Sequence, residues 1–135
     1  GTIESTTGGI KFPDGTIQTS AGITTFIPIS RTNVLSVGQA QSWTSVNLSS
    51  VVPASAKIAY ISWYTNGNVN PQVFYIGSNS AGTLGQARIS TVGNSGSVTP
   101  GGQAQVILTT PQTLYYLSGQ TGDASLYIEV YGYGY

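Results

Sequence analysis

ASLYIEVYGYGY, residues 124–135, carries the pattern that decides the fold. Leu126, Ile128 and Val130 recur at every second position, and Gly132 and Gly134 extend the same row. Tyr127, Glu129, Tyr131, Tyr133 and Tyr135 fill the alternate positions. A period of two sends successive side chains to opposite faces of a strand, so the apolar row is expected to meet a core and the tyrosines to face away from it. KIAYISWYT (57–65) repeats the alternation, with Ile58, Tyr60, Ser62 and Tyr64 pointing one way and Ala59, Ile61, Trp63 and Thr65 the other. Neither face is plainly polar, which suits a central strand covered on both sides. In AQVILTT (104–110), Ala104, Val106 and Leu108 share a core-directed face.

Working outward, helical periodicity is absent. Eighteen glycines and six prolines break the chain into short β-branched and aromatic runs, the mark of an all-β protein. Strands are expected at 25–31, 34–37, 43–48, 57–65, 72–76, 86–92, 104–109, 113–117 and 125–133. Loops rich in turn formers separate them: TNGNVNP (65–71), GSNSAGTLG (77–85), GNSGSVTPGG (93–102) and SGQTGD (118–123). Short strands at this spacing predict an antiparallel β-sandwich, jelly-roll-like, over roughly 110 residues. A compositional seam near Gly22 divides an N-terminal piece, 1–24, from this head, 25–135.

The chain has 135 residues, and only 6% are charged, against about 25% in an ordinary soluble domain. Lys11, Arg31, Lys57 and Arg88 balance Glu4, Asp14, Asp123 and Glu129, so the net charge is zero. No basic patch can form to neutralise phosphates, which argues against a nucleic-acid partner. No run is long and apolar enough for a membrane helix, and membrane insertion is not expected. There is no histidine and no cysteine. Ser–His and Cys–His nucleophile pairs, thiolates and imidazole metal sites are therefore all missing. Of the four carboxylates, Glu4 and Asp14 fall in the N-terminal piece, leaving Asp123 and Glu129 across a loop-to-strand junction. That is poor material for paired-carboxylate hydrolysis. An enzyme is not expected, nor a cofactor.

GGIKFPDGTIQTSA, residues 8–21, reads as a hairpin. In Phe12-Pro13-Asp14-Gly15, proline presets φ for a type I turn and glycine accepts the left-handed conformation that follows. Pairing Phe12 with Thr16 sets Lys11 opposite Ile17 and Ile10 opposite Gln18. Such a hairpin is marginal alone. Covering Ile10 and Phe12 stabilises it by roughly 1.5–3 kcal/mol each, and three copies about an axis would supply that cover.

This stretch resembles the short element that precedes the C-terminal head in bacteriophage tail fibres and related receptor-binding proteins. The matching positions are Gly8, Gly9, Ile10, Phe12, Pro13, Asp14, Gly15, Thr16, Gln18, Thr19 and Ala21. The resemblance implies a homotrimeric fibre in the virion, acting extracellularly, whose tip attaches to a bacterial surface glycan or outer-membrane protein. It covers about 14 residues and supplies no receptor-binding residues.

The tyrosines Tyr127, Tyr131, Tyr133 and Tyr135 would expose much aromatic surface if left bare. They read as a subunit interface or as a receptor contact in which rings stack on sugars. If the strand is buried between subunits, Glu129 needs a cation such as Arg88 or Lys57. Trp63 is expected in the core, whereas Trp43, alternating with Ser45 and Asn47, is a candidate exposed ring. Asn66, Asn68, Asn70 and Asn79 are candidate receptor contacts within polar loops that equally suit ordinary solvated turns. Two alternatives stand beside the fibre tip: a monomeric carbohydrate-binding module of a secreted enzyme, and a purely structural particle protein.

Overall fold

The computed structural model describes residues 4–6, 9–11, 13–15, 17–18, 26–67, 72–91, 101–119 and 124–135. Strands account for all the regular structure among them, and no helix occurs there. Three short strands open the chain: β1 (Glu4–Thr6), β2 (Gly9–Lys11) and β3 (Ile17–Gln18). Eight follow: β4 (Ile27–Gly38), β5 (Thr44–Asn47), β6 (Ile58–Gly67), β7 (Gln72–Gly77), β8 (Ala87–Thr91), β9 (Gly101–Ile107), β10 (Thr113–Ser118) and β11 (Ala124–Gly134). They form two four-stranded sheets in the orders β4-β11-β6-β9 and β5-β10-β7-β8, with every pairing antiparallel.

One apolar cluster draws on both sheets. Ala59, Ile61, Val106, Leu126, Ile128 and Val130 come from the first, and Val46, Phe74, Ile76, Ile89, Leu114 and Tyr116 from the second. Phe74, Leu114, Ile61 and Ile128 are wholly shielded from solvent, each worth about 1.5–3 kcal/mol relative to exposure. The expected inward row Ala104, Val106 and Leu108 is half-buried to buried, and Leu126, Ile128 and Val130 are buried as the alternation predicts. β6 is central, as expected, but its outer face is only half covered: Tyr60, Ser62 and Tyr64 remain partly exposed.

The two strands expected at 25–31 and 34–37 are one strand, β4. The polar run between them is absorbed by bulges instead of making a turn. From the Tyr133–Ile27 pair to the Leu126–Gly38 pair, β11 advances seven residues while β4 advances eleven, and Val37 takes a φ of 52°. The extra residues coil the edge strand without breaking its pairing.

β1, β2 and β3 make a separate sheet in that order. β2 and β3 pair in the expected register, Lys11 opposite Ile17 and Ile10 opposite Gln18. Pro13, Asp14 and Gly15 form an exposed turn, with Gly15 at a φ of 88° as the turn reading requires. β1 adds a third strand, Ser5 opposite Ile10, which the sequence reading did not include.

The register also orients the head. Ile27, Tyr133, Ala59 and Val106 stand abreast near one end of the first sheet. Gly38, Gly67, Gly101 and Ala124 are the strand ends at the opposite end. The connections 39–43, 68–71, 92–100 and 119–123 are thus anchored away from the point where the chain enters the head at Ile27.

Candidate functional site

The outer face of the β4-β11-β6-β9 sheet carries two of the expected tyrosines, Tyr127 and Tyr131. Directly opposed residues in an antiparallel pair share a face. Tyr127 opposes Tyr64, and Glu129 opposes Ser62. The rings of Tyr64 and Tyr127 stack with centroids 4.5 Å apart and planes 3° from parallel. A polar row runs beside them across the sheet through Asn33, Glu129, Ser62 and Gln103.

Beyond Glu129 the simple alternation fails. Val130 opposes Ile61 and the next pair is Gly132 with Tyr60, so Tyr131 is an extra, bulged residue. The bulge inverts every later position. Gly132, expected on the core face, joins the outer face. A Cβ built there would lie 2.1 Å from the Phe26 ring, which therefore rests on the bare glycine. Phe26 meets Tyr60 edge-on at 4.8 Å and Tyr131 at 6.1 Å, making a second aromatic cluster on this surface. Tyr133, expected outside, opposes Ala59 and packs against the core. The stripe of four tyrosines is thus split: Tyr127 and Tyr131 belong to the outer face, Tyr133 turns inward, and Tyr135 is half-exposed and meets Tyr133 edge-on at 5.8 Å. Desolvation first, then the hydroxyl and charge of Tyr135, pushes the Tyr133 phenol above its ordinary value.

Glu129 is paired with Arg31, Nε to Oε2 at 3.4 Å, and not with Arg88 or Lys57. Arg31 lies on the strand hydrogen-bonded beside β11, whereas Arg88 belongs to the other sheet and Lys57 precedes β6. With Arg31 60% exposed the pair contributes about 0–1 kcal/mol. What the face offers is two aromatic clusters flanking a row of amide, carboxylate and hydroxyl groups. Such a surface suits a flat apolar partner with polar edges, either a sugar face or a second protein surface.

Trp43 is half-buried. Its indole lies against Gly82 and Gly77, where added Cβ atoms would fall 2.1 Å and 3.2 Å from the ring, and it tilts toward Tyr75 at 6.4 Å. It clamps the 78–86 connection. Asn79 serves that same loop: its Oδ1 accepts from the backbone N–H groups of Thr83 (3.0 Å) and Leu84 (3.2 Å), and its Nδ2 donates to Thr83 Oγ1 (2.9 Å). Asn66 is exposed at the far end of β6. Asn68, Asn70, Phe12 and Thr16 lie outside the described residues, as do the side chains of Ile10 and Gln18. Phe26, Tyr60 and Tyr64 were not among the expected site residues. Tyr60 and Tyr64 shared one face of the 57–65 alternation, but nothing in the sequence placed that face beside β11.

The chain matches no model of a known protein family, and no curated protein is matched either.

Proposed function

We propose that this chain is the trimeric receptor-binding tip of a bacteriophage tail fibre. Residues 1–24 act as the trimerising neck and 25–135 as the head, which attaches the virion to a bacterial surface polysaccharide or outer-membrane protein. One observation carries this reading: β1, β2 and β3 contain three, three and two residues and, among the described residues, form a sheet of their own. A sheet that small has too little apolar cover to persist alone. Threefold packing through Ile10, Phe12 and Gln18 would supply the cover, in line with the likeness of residues 8–21 to fibre necks.

The head is read as a jelly-roll β-sandwich. In support, strands 4, 6, 9 and 11 share one sheet and 5, 7, 8 and 10 the other, an eight-stranded arrangement with one shared core. Attachment to the neck at Ile27 leaves the connections 39–43, 68–71, 92–100 and 119–123 anchored at the opposite, outward end. The aromatic outer face, with Tyr127 and Tyr131, is where neighbouring heads pack. Three weak sites on one stem then multiply affinity through effective concentration.

A monomeric carbohydrate-binding module is favoured by a different observation: the Tyr64–Tyr127 stack is partly open and could lie under a sugar. Light scattering separates the two, since a trimer has three times the 14.0 kDa of the chain. Phe12→Glu is expected to yield monomers or insoluble chains. Wild-type protein that runs as a monomer, or a variant that stays trimeric, would refute the neck.

A further inference from the structure

We propose that the outer face of the β5-β10-β7-β8 sheet binds one anionic sugar residue, its ring on Tyr75 and its acid group on Arg88. The choice of a saccharide rests on the adhesion reading above. Phe74 and Ile76 are buried in the core, so Tyr75 between them points outward. Leu117 opposes Tyr75 from β10, and Arg88 opposes it from β8. Opposed residues leave the same face of the sheet with Cβ atoms about 4.5–5.5 Å apart, so Leu117, Tyr75 and Arg88 form one row. Val73 and Ser90 make the next outward pair on one side of it, and Gly77 and Tyr115 the next on the other.

Trp43 walls the row. Its indole lies 6.4 Å from the Tyr75 ring and packs over Gly77, where an added Cβ would fall 3.2 Å from it. Trp43, Tyr75, Tyr115 and Leu117 are half-buried, whereas Arg88 and Ser90 are exposed. Among the described residues, the Arg88 guanidinium has no ion-pair or hydrogen-bond partner, and the hydroxyls of Tyr75, Tyr115 and Ser90 have none. No Asp or Glu occurs in β5, β7, β8 or β10. On the other sheet, by contrast, Arg31 already holds Glu129. Arg88 is thus an unbalanced cation beside an aromatic ring.

The complementary occupant is an anion with an apolar face. An anionic pyranose has both: its C–H face lies on the Tyr75 ring, and its carboxylate or phosphate takes two parallel hydrogen bonds from the guanidinium. A neutral sugar cannot use that fork. The phenols and Ser90 are left for ring hydroxyls. This face lies across the shared core from the one where neighbouring heads pack, so it stays open in a trimer.

The test uses the full chain labelled with ¹⁵N, in which Trp43→Phe assigns the two indole N–H resonances. Trp63, expected in the core, is half-buried against it from the other sheet and serves as the internal reference. The probes are methyl β-D-glucuronide, glucose 6-phosphate, methyl β-D-glucoside and acetate. An anionic sugar is expected to shift the Trp43 resonance saturably while Trp63 holds still, and the tighter of the two names the acid group. The glucoside lacks the charge-assisted bonds and acetate lacks a ring face, so each is expected to bind about tenfold or more weakly. Arg88→Gln, at an exposed edge position, is expected to bring the anionic sugars down to the level of the glucoside. Tyr75→Ala is expected to bring the glucuronide down to the level of acetate. Glucoside or acetate binding as tightly as the anionic sugars, a Trp43 resonance unshifted by about 100 mM of any probe, a shift at Trp63 in its place, or an Arg88→Gln variant that still prefers the anionic sugars would each overturn the proposal. A trimer that adheres to cells without a Trp43 response loses this site and keeps the adhesion reading. A chain that binds the anionic sugars beside Trp43 but adheres to no cell does the reverse.

Discussion

Gly132 offers a sharp test of the bulge in β11. If the alternation ran unbroken, Gly132 would face the core, and an alanine there would press on buried side chains whatever happened to Phe26. In the bulged strand its Cβ instead meets the Phe26 ring at 2.1 Å, with the Ile27 carbonyl oxygen at 3.0 Å. Gly132→Ala should therefore act by evicting Phe26. That ring is 44% exposed, so a little over half of a full phenylalanine burial is at stake, about 1–2 kcal/mol. Its edge-on contact with Tyr60 at 4.8 Å adds about 0.5–1.5 kcal/mol. Phe26→Ala and Gly132→Ala are each expected to lower stability by roughly 1.5–3 kcal/mol by these terms. The double variant should cost little more than either single one, giving a coupling close to the cost of one single change, about 1.5–3 kcal/mol. Residual cost of Gly132→Ala in the Phe26→Ala background reports the Ile27 contact alone. Urea titrations at one fixed protein concentration, followed by tryptophan emission, measure all four corners of the cycle. Additive losses would refute the inverted register.

Two further perturbations follow from the geometry. Gly82→Ala combines a φ of 66° with a Cβ 2.1 Å from the Trp43 indole, so it should cost about 2–4 kcal/mol and shift Trp43 emission to the red. Gly15→Ala, at a φ of 88° but with open space around it, should cost only about 1–2 kcal/mol. Equal losses for the two in denaturant titrations would show that Trp43 does not clamp the loop. The raised Tyr133 phenol favours its protonated form in the folded state. Its contribution is complete below the unfolded tyrosine value of about 10 and is lost as pH rises through the higher folded value. Melting temperatures measured from pH 8 to about 11.5 should fall at the alkaline end, less steeply in Tyr133→Phe, and an unchanged slope in that variant would count against the assignment.

Local signals in the sequence carried the structure as far as local physics reaches. Pro13-Asp14-Gly15 dictates its own turn and hence the Ile10–Gln18 register, because a short hairpin loop leaves one way to pair the flanks. Leu126, Ile128 and Val130 announce their burial by spacing alone. Tyr133 does not, because the bulge at Tyr131 arises from fitting β11 between two neighbours, and its inversion is invisible to a count of every second residue. For the same reason β4 reads as two strands: Thr32 and Asn33 look like a break until β11 is there to pair with them. The aromatic face was half legible. Tyr127 and Tyr131 stood out, but their contacts with Tyr64, Tyr60 and Phe26 depend on which strands become neighbours. The row of Leu117, Tyr75 and Arg88 depends on three strands of the second sheet becoming neighbours, and no spacing rule reports that.

The pairing of β4 with β11 has a consequence for biosynthesis. Gly38 leaves the ribosome long before Ala124 does, so the first sheet has no way to close until β11 has been translated. Topologies dominated by such distant pairings fold slowly and expose unpaired edges meanwhile. In a threefold fibre, a tight neck would gather three unfinished heads and invite the β4 of one chain to zip onto the β11 of another. If the proposed fibre reading holds, a neck of three tiny strands, too weak to hold until something reinforces it, would let each head mature in its own chain before the stem locks.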